Sequence, residues 1–189
     1  MKDLRLTDIE IELLSQLMEK ESVSIIWDIN AFYFNTAKDT YKLECCEDHP
    51  AGSNYEYDEI FYCKFLKLKK KQIFKEGDSK FWFKIISSQA NIKEIDIVEV
   101  TQKFPEDKLV NIEELGNEEG VNKLSLGLII KTIEGMVPAI LFPSNHGFIW
   151  LDDYRFYSLN EIEEILKSEI KTYKIKHCLT TPKAHQGVP

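Results

Sequence analysis

The chain has 189 residues, of which 43% are hydrophobic and 12% aromatic, enough to bury the core of one domain. Its 32 acidic and 24 basic residues give a formal net charge of −8, which disfavours attraction to nucleic-acid phosphates. Only Arg5 and Arg155 are arginines, the side chain that phosphate sites favour, so the composition argues against a nuclease, a kinase or a DNA-binding module.

The apolar segments are too short for a membrane helix, which needs roughly 18 to 20 consecutive apolar residues. The N-terminus mixes charged with apolar residues and does not resemble an export signal. We therefore expect a soluble, cytoplasmic protein with no membrane partner. Its four cysteines are then expected to be reduced, and they are too few and too clustered for a disulfide framework.

A helix is predicted first, because Thr7 and Glu10 form a T-x-x-E capping box before apolar residues at helical spacing. This helix should end near Lys20. Residues 22–27, 31–36 and 40–47 are short and rich in β-branched and aromatic side chains, which predicts three strands. Residues 37–40 are turn-like, and residues 48–54 form the strongest loop signal of the chain.

The next strand, within residues 57–71, alternates until a bulge or strand end expected near Lys67. Residues 80–87 and 92–104 flank a short polar turn and predict a hairpin. In its second strand apolar side chains face both ways, which predicts a strand partly covered on both sides. Residues 105–123 are polar and acidic, and we interpret them as a loop.

The C-terminal third contains a predicted hairpin about Glu134-Gly135, because glycine suits the tight turn. A strand over residues 147–153 is followed by a second capping box, Ser158 with Glu161. Its helix carries an apolar stripe that runs on to Tyr173. The element order predicts an α+β fold: a mainly antiparallel, meandering β-sheet with an N-terminal and a C-terminal helix packed on it. Residues 1–179 should form one domain and residues 180–189 a flexible tail.

Two groups of titratable residues admit alternative interpretations. His146 could act as a general base oriented by Asp152 or Asp153, in a small enzyme or ligand-binding protein with a site around His146–Tyr157. Along an extended strand, however, His146 and Asp152 would lie roughly 20 Å apart, so a loop histidine is the simpler interpretation. The second group comprises Cys45, Cys46, His49 and Cys63, which could form a zinc site or could be ordinary residues of strands and a loop. Adjacent cysteines of a strand point to opposite faces, which argues against shared metal binding, and no cofactor is predicted.

Charge patterning supplies the favoured site. Residues 64–71 contain five lysines, which could indicate either a nucleic-acid site or an edge strand whose charges prevent aggregation. Because the net charge is negative, we favour the edge strand. Residues 47–59, here called the acidic segment, combine carboxylates with tyrosines at the end of a predicted hairpin. We predict that this segment binds a partner through Glu47, Asp48, Tyr55, Glu56, Tyr57, Asp58 and Glu59. Carboxylates would steer a basic partner and tyrosines would anchor it, whereas the alternative is an acidic loop that only maintains solubility.

No nucleotide-binding, metalloprotease or other recognised catalytic motif occurs in the sequence. The favoured prediction is therefore a non-enzymatic, acidic binding protein of the inhibitor or immunity type, which masks a basic protein partner such as a toxin. The alternatives are the small enzyme or ligand-binding protein described above and a structural or assembly subunit.

Overall fold

The computed structural model describes residues 1–28, 31–49, 60–74, 83–103, 108–109, 120–140, 155–169 and 174–180. Two helices and eleven strands lie within these ranges. In chain order they are β1 Lys2–Leu4, α1 Asp8–Met18, β2 Val23–Asp28, β3 Ala31–Asn35, β4 Thr40–Asp48, β5 Ile60–Lys67, β6 Phe83–Ala90, β7 Ile92–Lys103, β8 Lys108–Leu109, β9 Val121–Thr132, β10 Met136–Ile140, α2 Leu159–Glu169 and β11 Lys174–Thr180. None of the helices within these ranges is long and apolar enough to cross a membrane.

Helix α1 begins at the predicted capping box. The Thr7 amide donates to the Glu10 carboxylate over 2.8 Å, and the Glu10 amide donates to the Thr7 hydroxyl over 3.4 Å. The buried face of the helix carries Leu14, Leu17 and Met18, and it lies against β5 and β7. The prediction of this helix is confirmed. Both the cap at its start and the helical spacing of its apolar residues specify it.

The five-stranded sheet has the order β5-β4-β3-β2-β6, and all its neighbours are antiparallel. Its first four strands form the meander that the alternation of residues predicts. Trp27 pairs with Phe32, Phe32 with Leu43, and Leu43 with Phe65, so one row of large apolar side chains crosses the sheet. Strand β5 ends at Lys67, where the sequence predicted a bulge or a strand end.

The six-stranded sheet follows the path β1-β9-β7-β11, with β10 beside β9 and β8 beside β7. Its pairs are antiparallel except for β1 and β9, which are parallel. Gly127 lies where β9 and β10 approach closely: a Cβ atom built there would be 2.0 Å from the carbonyl oxygen of Ala139. Only glycine fits this position without moving β10.

Two clusters of buried side chains lie on the two faces of the six-stranded sheet. The central core lies between the sheets and under α1. It comprises Leu6, Leu14, Leu17, Met18, Val23, Ile25, Trp27, Ala31, Phe32, Phe34, Tyr41, Leu43, Cys63, Phe65, Ala90, Ile92, Ile95, Ile97, Leu128, Ile130, Val137 and Ala139. The second core includes the buried face of α2. It comprises Ile60, Tyr62, Val98, Val100, Leu124, Leu126, Ile129, Ile140, Tyr157, Ile162 and Leu166. Strand β7 contributes to both cores, which confirms the prediction of a strand partly covered on both sides.

The α+β class is confirmed as mostly antiparallel sheet with a helix near each end of the chain, but the strands form two sheets rather than one. The predicted hairpin of residues 80–87 with 92–104 is wrong. Strand β6 pairs with β2, and β7 pairs with β9 and β11, so the chain passes from one sheet to the other at Asn91. Ala90 and Ile92 on either side of Asn91 are fully buried, which holds the crossing inside the central core.

The C-terminal region also differs from the prediction. Helix α2 ends at Glu169, and Lys174–Thr180 form β11, a strand that pairs with β7. Thr180, assigned to the tail, is the last residue of this strand, and residues 181–189 lie outside the described part. Strand β8 and the first residues of β9 fall within the stretch expected to be a loop. The predicted strand over residues 147–153 lies outside the described residues.

Candidate protein-binding surface

The acidic segment connects β4 to β5. These strands pair from Tyr41 with Lys67 to Asp48 with Ile60, so the segment leaves and re-enters the sheet at one end of a long hairpin. This placement confirms that the segment joins two paired strands. Glu47 and Asp48 belong to β4, whereas Tyr55, Glu56, Tyr57, Asp58 and Glu59 lie outside the described residues.

Asp48 has a structural contact that the sequence did not suggest. Its carboxylate accepts a hydrogen bond from the Lys2 ammonium at 2.9 Å and another from the His49 amide at 2.8 Å. The hydrogen bond from Lys2 holds the pKa of Asp48 below its ordinary value. Because Lys2 belongs to β1, the pair connects the end of the acidic hairpin to the other sheet. Asp48 is thus engaged within the molecule, although both side chains remain about one-third exposed.

Glu47 differs from its acidic neighbours on β4. It is exposed, and it makes no ion pair with the described residues. Glu44, by contrast, accepts a hydrogen bond from Lys42 at 2.6 Å. Burial is the largest single effect and lowers the pKa of Lys42, but the hydrogen bond to Glu44 and the negative charge of that carboxylate together outweigh it, so the pKa is raised overall. Of these three carboxylates, Glu47 is the one whose charge is not paired within the described residues.

The neighbouring cysteines face opposite sides of the hairpin, as the sequence predicted. Cys45 packs against the central core, and Cys46 packs against the second core. Burial raises the pKa of the Cys45 thiol to about 11 and raises that of the fully enclosed Cys63 as well. The described part of the chain contains no group of three or more histidine, cysteine or acidic side chains arranged to hold a metal ion.

The lysine-rich run lies at the described edge of the five-stranded sheet, as its edge-strand interpretation requires. Two of its lysines contact residues of the turn that precedes β4. Lys67 bonds to Asp39 at 3.0 Å, which raises the lysine pKa, and Lys71 donates to the carbonyl of Ala37. These contacts hold the run against the turn between β3 and β4.

The other candidate segment, around His146–Tyr157, is only partly described. His146, Asp152 and Asp153 lie outside the described residues. Within the described part, the Arg155 guanidinium lies over the Tyr157 ring at 4.6 Å and bonds to Glu161. The Tyr157 amide donates to the Met136 carbonyl at 2.7 Å, and the Met136 amide donates to the Tyr157 carbonyl at 3.0 Å. These contacts position the start of α2, where the Ser158 amide donates to Glu161 over 2.8 Å, so the second capping box is confirmed.

A cleft of about 660 Å³, lined mostly by polar and charged residues, is a feature that the sequence did not predict. It lies between the end of α1, the turn after β3 and the end of β6. Its lining includes Lys20, Lys38, Lys71, Glu19, Glu21 and Asp39. The charged residues of the lining comprise three of each sign. These residues come from separate stretches of sequence, and no motif joins them.

Comparison with protein-family models, with curated proteins and with solved structures gives no match for this chain.

Proposed function

We propose that this chain is a non-enzymatic binding protein of the inhibitor or immunity type. Its acidic segment would cover a basic surface of a protein partner such as a toxin. The observation that carries the proposal is an exposed Glu47 at the start of a segment whose sequence is rich in carboxylates. Between Glu47 and Glu59 there are five carboxylates and no lysine or arginine, against a net charge of −8 for the chain.

The described ion pairs support this assignment of charge. Asp48 is paired with Lys2 and Glu44 with Lys42, so these two carboxylates of β4 are locally neutralised. The negative charge available to a partner is thereby shifted toward Glu47 and the residues after it. Such a concentrated charge accelerates encounter with a basic partner and sets the orientation of docking.

The hairpin stem also suits a binding role. Strands β4 and β5 pair along their common length, and Leu43, Cys63 and Phe65 anchor the stem in the central core. A segment held at both ends by a packed stem loses less conformational freedom on binding than a free tail does. Tyr55 and Tyr57 within the segment supply the aromatic groups that commonly anchor protein interfaces.

The test begins with capture of partners on the immobilised chain from a lysate of the source organism, with washes at low and moderate salt. A captured basic protein is then purified and titrated against two variants by calorimetry. The first variant replaces Glu56, Asp58 and Glu59 by lysine. The matched control makes the same charge change in the other acidic stretch, with Glu113, Glu114 and Glu118 replaced by lysine.

We expect one-to-one binding that weakens as salt rises, because charged groups dominate the contact. Reversal of Glu56, Asp58 and Glu59 should weaken binding by roughly a hundredfold or more, at about 1 kcal/mol or more for each reversed charge. The control should lose far less. Equal losses in the two variants would indicate a non-specific charge effect, and unchanged binding in the first variant would refute the proposed surface.

A further inference from the structure

Two backbone amides, one in β5 and one directly after it, show which residues of β5 form hydrogen-bonded pairs with β4 and which form non-hydrogen-bonded pairs. The Phe65 amide donates to the Glu10 carboxylate of α1 at 2.9 Å, so it points away from β4. The amide of Leu68 donates in the other direction, to the carbonyl of Thr40, also at 2.9 Å. In an antiparallel pair the hydrogen-bonded and non-hydrogen-bonded positions alternate. Leu43 with Phe65 is therefore a non-hydrogen-bonded pair.

Cys45 lies opposite Cys63, two residues further along this register. A step of two residues preserves the phase, so the two cysteines also form a non-hydrogen-bonded pair. Cα atoms at such positions are about 4.5 Å apart, and their side chains approach more closely than at hydrogen-bonded positions. Disulfides span Cα separations of roughly 4.4 to 6.8 Å. The backbone of this hairpin thus already satisfies the main distance condition for a disulfide.

The surroundings of the two thiols give them different access to solvent. Cys63 is 1% exposed and belongs to the central core, against which Cys45 also packs. Cys45 is only partly buried, so it is the more accessible of the two residues to a reagent in solution. Cys46 points to the opposite face, where it lies across from Tyr62. The geometry therefore pairs Cys45 with Cys63 and leaves Cys46 apart.

We propose that Cys45 and Cys63 are a disulfide-forming site, which a low-molecular-weight disulfide such as oxidised glutathione closes across β4 and β5. The Cys45 thiolate attacks one sulfur of the reagent, forms a mixed disulfide and releases one thiol. The Cys63 thiolate then attacks the Cys45 sulfur and expels the second thiol. Two cysteines are oxidised, one reagent disulfide is reduced to two thiols, and the two cysteine protons go to the released thiolates.

The proposal is independent of any binding partner, and it differs from a framework of several disulfides. It requires only that this one pair closes when a disulfide reagent is present. Because the pKa of Cys45 is about 11, little thiolate exists near neutral pH. Below pH 11 the rate of closure should therefore rise about tenfold for each unit by which the pH is raised.

The experiment uses the full chain with Cys46 and Cys178 replaced by serine, which leaves Cys45 and Cys63 as the only thiols. The matched control replaces Cys45 and Cys178, which leaves Cys46 with Cys63. Both variants are incubated with oxidised glutathione, alkylated and weighed by mass spectrometry. Unoxidised samples are first compared by urea unfolding, so that a loss of fold is recognised.

We expect the first variant to form a stoichiometric internal disulfide, and the control to form a mixed disulfide with glutathione or none. Closure should raise the folding equilibrium constant by roughly a hundredfold, because the cross-link lowers the conformational entropy of the unfolded chain, and a reducing agent should reverse the rise. A folded first variant that stays reduced would overturn the proposal, as would a control that closes at the same rate.

The wild-type chain provides a second test if the variants fold poorly. A protease that cuts after glutamate separates Cys45 from Cys63, because Glu47 and Glu59 lie between them. Cuts after Glu44 and Glu47 leave Cys45 and Cys46 on one peptide, so tandem mass spectrometry of the linked fragments assigns the bonded cysteine. A bond from Cys45 to Cys63 supports the proposal, and a bond from Cys46 to Cys63 contradicts it. A linkage between Cys45 and Cys46, or from Cys46 to Cys178, overturns it.

Discussion

Replacement of Glu10 by alanine tests how firmly helix α1 is joined to the five-stranded sheet. One carboxylate oxygen of Glu10 accepts hydrogen bonds from the Thr7 amide at 2.8 Å and the Thr7 hydroxyl at 2.7 Å. The other oxygen accepts the Phe65 amide of β5 at 2.9 Å. The same side chain therefore completes a helix cap and satisfies an amide at the edge of a sheet.

The expected loss follows from these two roles. Removal of the capping contact costs about 0.5–1 kcal/mol. The Phe65 amide, which is partly buried, would lose a charged acceptor, at a cost of about 1.5–2 kcal/mol. We therefore expect the Glu10→Ala variant to lose about 2–3 kcal/mol of unfolding free energy. The Glu10→Gln variant should lose less, because its single amide oxygen can still accept one of the hydrogen bonds.

The assay is urea unfolding at neutral pH, followed by tryptophan fluorescence, since Trp27 is buried in the central core. The control is Glu12→Ala, at an exposed position on the same helix, which should change stability by less than about 0.5 kcal/mol. Equal stability of the Glu10 and Glu12 variants would refute the reasoning. A Glu10→Ala variant within about 0.5 kcal/mol of the wild type would do so too.

Three further changes test the packing and the ion pairs. Gly127→Ala should lower the unfolding free energy by about 3 kcal/mol or more in urea titration, because its Cβ would overlap the Ala139 carbonyl. Lys131→Met removes the ammonium that lies 2.7 Å from the buried Asp96 carboxylate, and it should cost about 2–4 kcal/mol in the same titration. The pKa of Glu161 is about 2, below its ordinary value of 4.5, because of hydrogen bonds from Arg155 and Ser158. Its stabilising effect is complete above pH 4.5 and is lost as the pH falls toward 2, so the melting temperatures of wild type and Glu161→Gln should converge over that range.

Each of these predictions has a direct counter-observation. Lys167→Met removes an exposed pair with Glu163 and should change stability by less than about 0.5 kcal/mol, so a similar loss for Lys131→Met would contradict the importance of burial. Arg155→Met should raise the pKa of Glu161 in an NMR titration, and an unchanged value would exclude Arg155 as the main cause. Wild-type stability in Gly127→Ala would show that β10 can move away.

Local signals in the sequence predicted local structure well. The capping boxes at Thr7 and Ser158 mark the starts of both helices, and the glycine turn at Gly135 marks the β9–β10 hairpin. The hairpin assigned to β6 and β7 was wrong, because alternation shows that a strand is half-buried but does not show which strand it joins. Pairing between distant strands is decided by the assembled core, to which both Ala90 and Ile92 belong.

The candidate surface could be predicted only as a patch of charge. The sequence shows where the carboxylates are concentrated, but it cannot show that Asp48 is paired with Lys2, which lies 46 residues away. Nor can it show the register of the β4–β5 pairing, which places Cys45 opposite Cys63 and directs the Cys46 side chain to the other face of the hairpin. Partner choice between side chains that are distant in sequence depends on the register of the completed sheets.

The parallel pairing of β1 with β9 has a consequence for the order of folding during synthesis. Lys2 pairs with Asn122, so among the described strands the neighbour of β1 is made only after about two-thirds of this sequence has been translated. The meander of β2 to β5 needs only contacts between consecutive strands, which form faster than distant ones. We therefore expect the meander of β2 to β5 to be assembled before β1 takes its place beside β9.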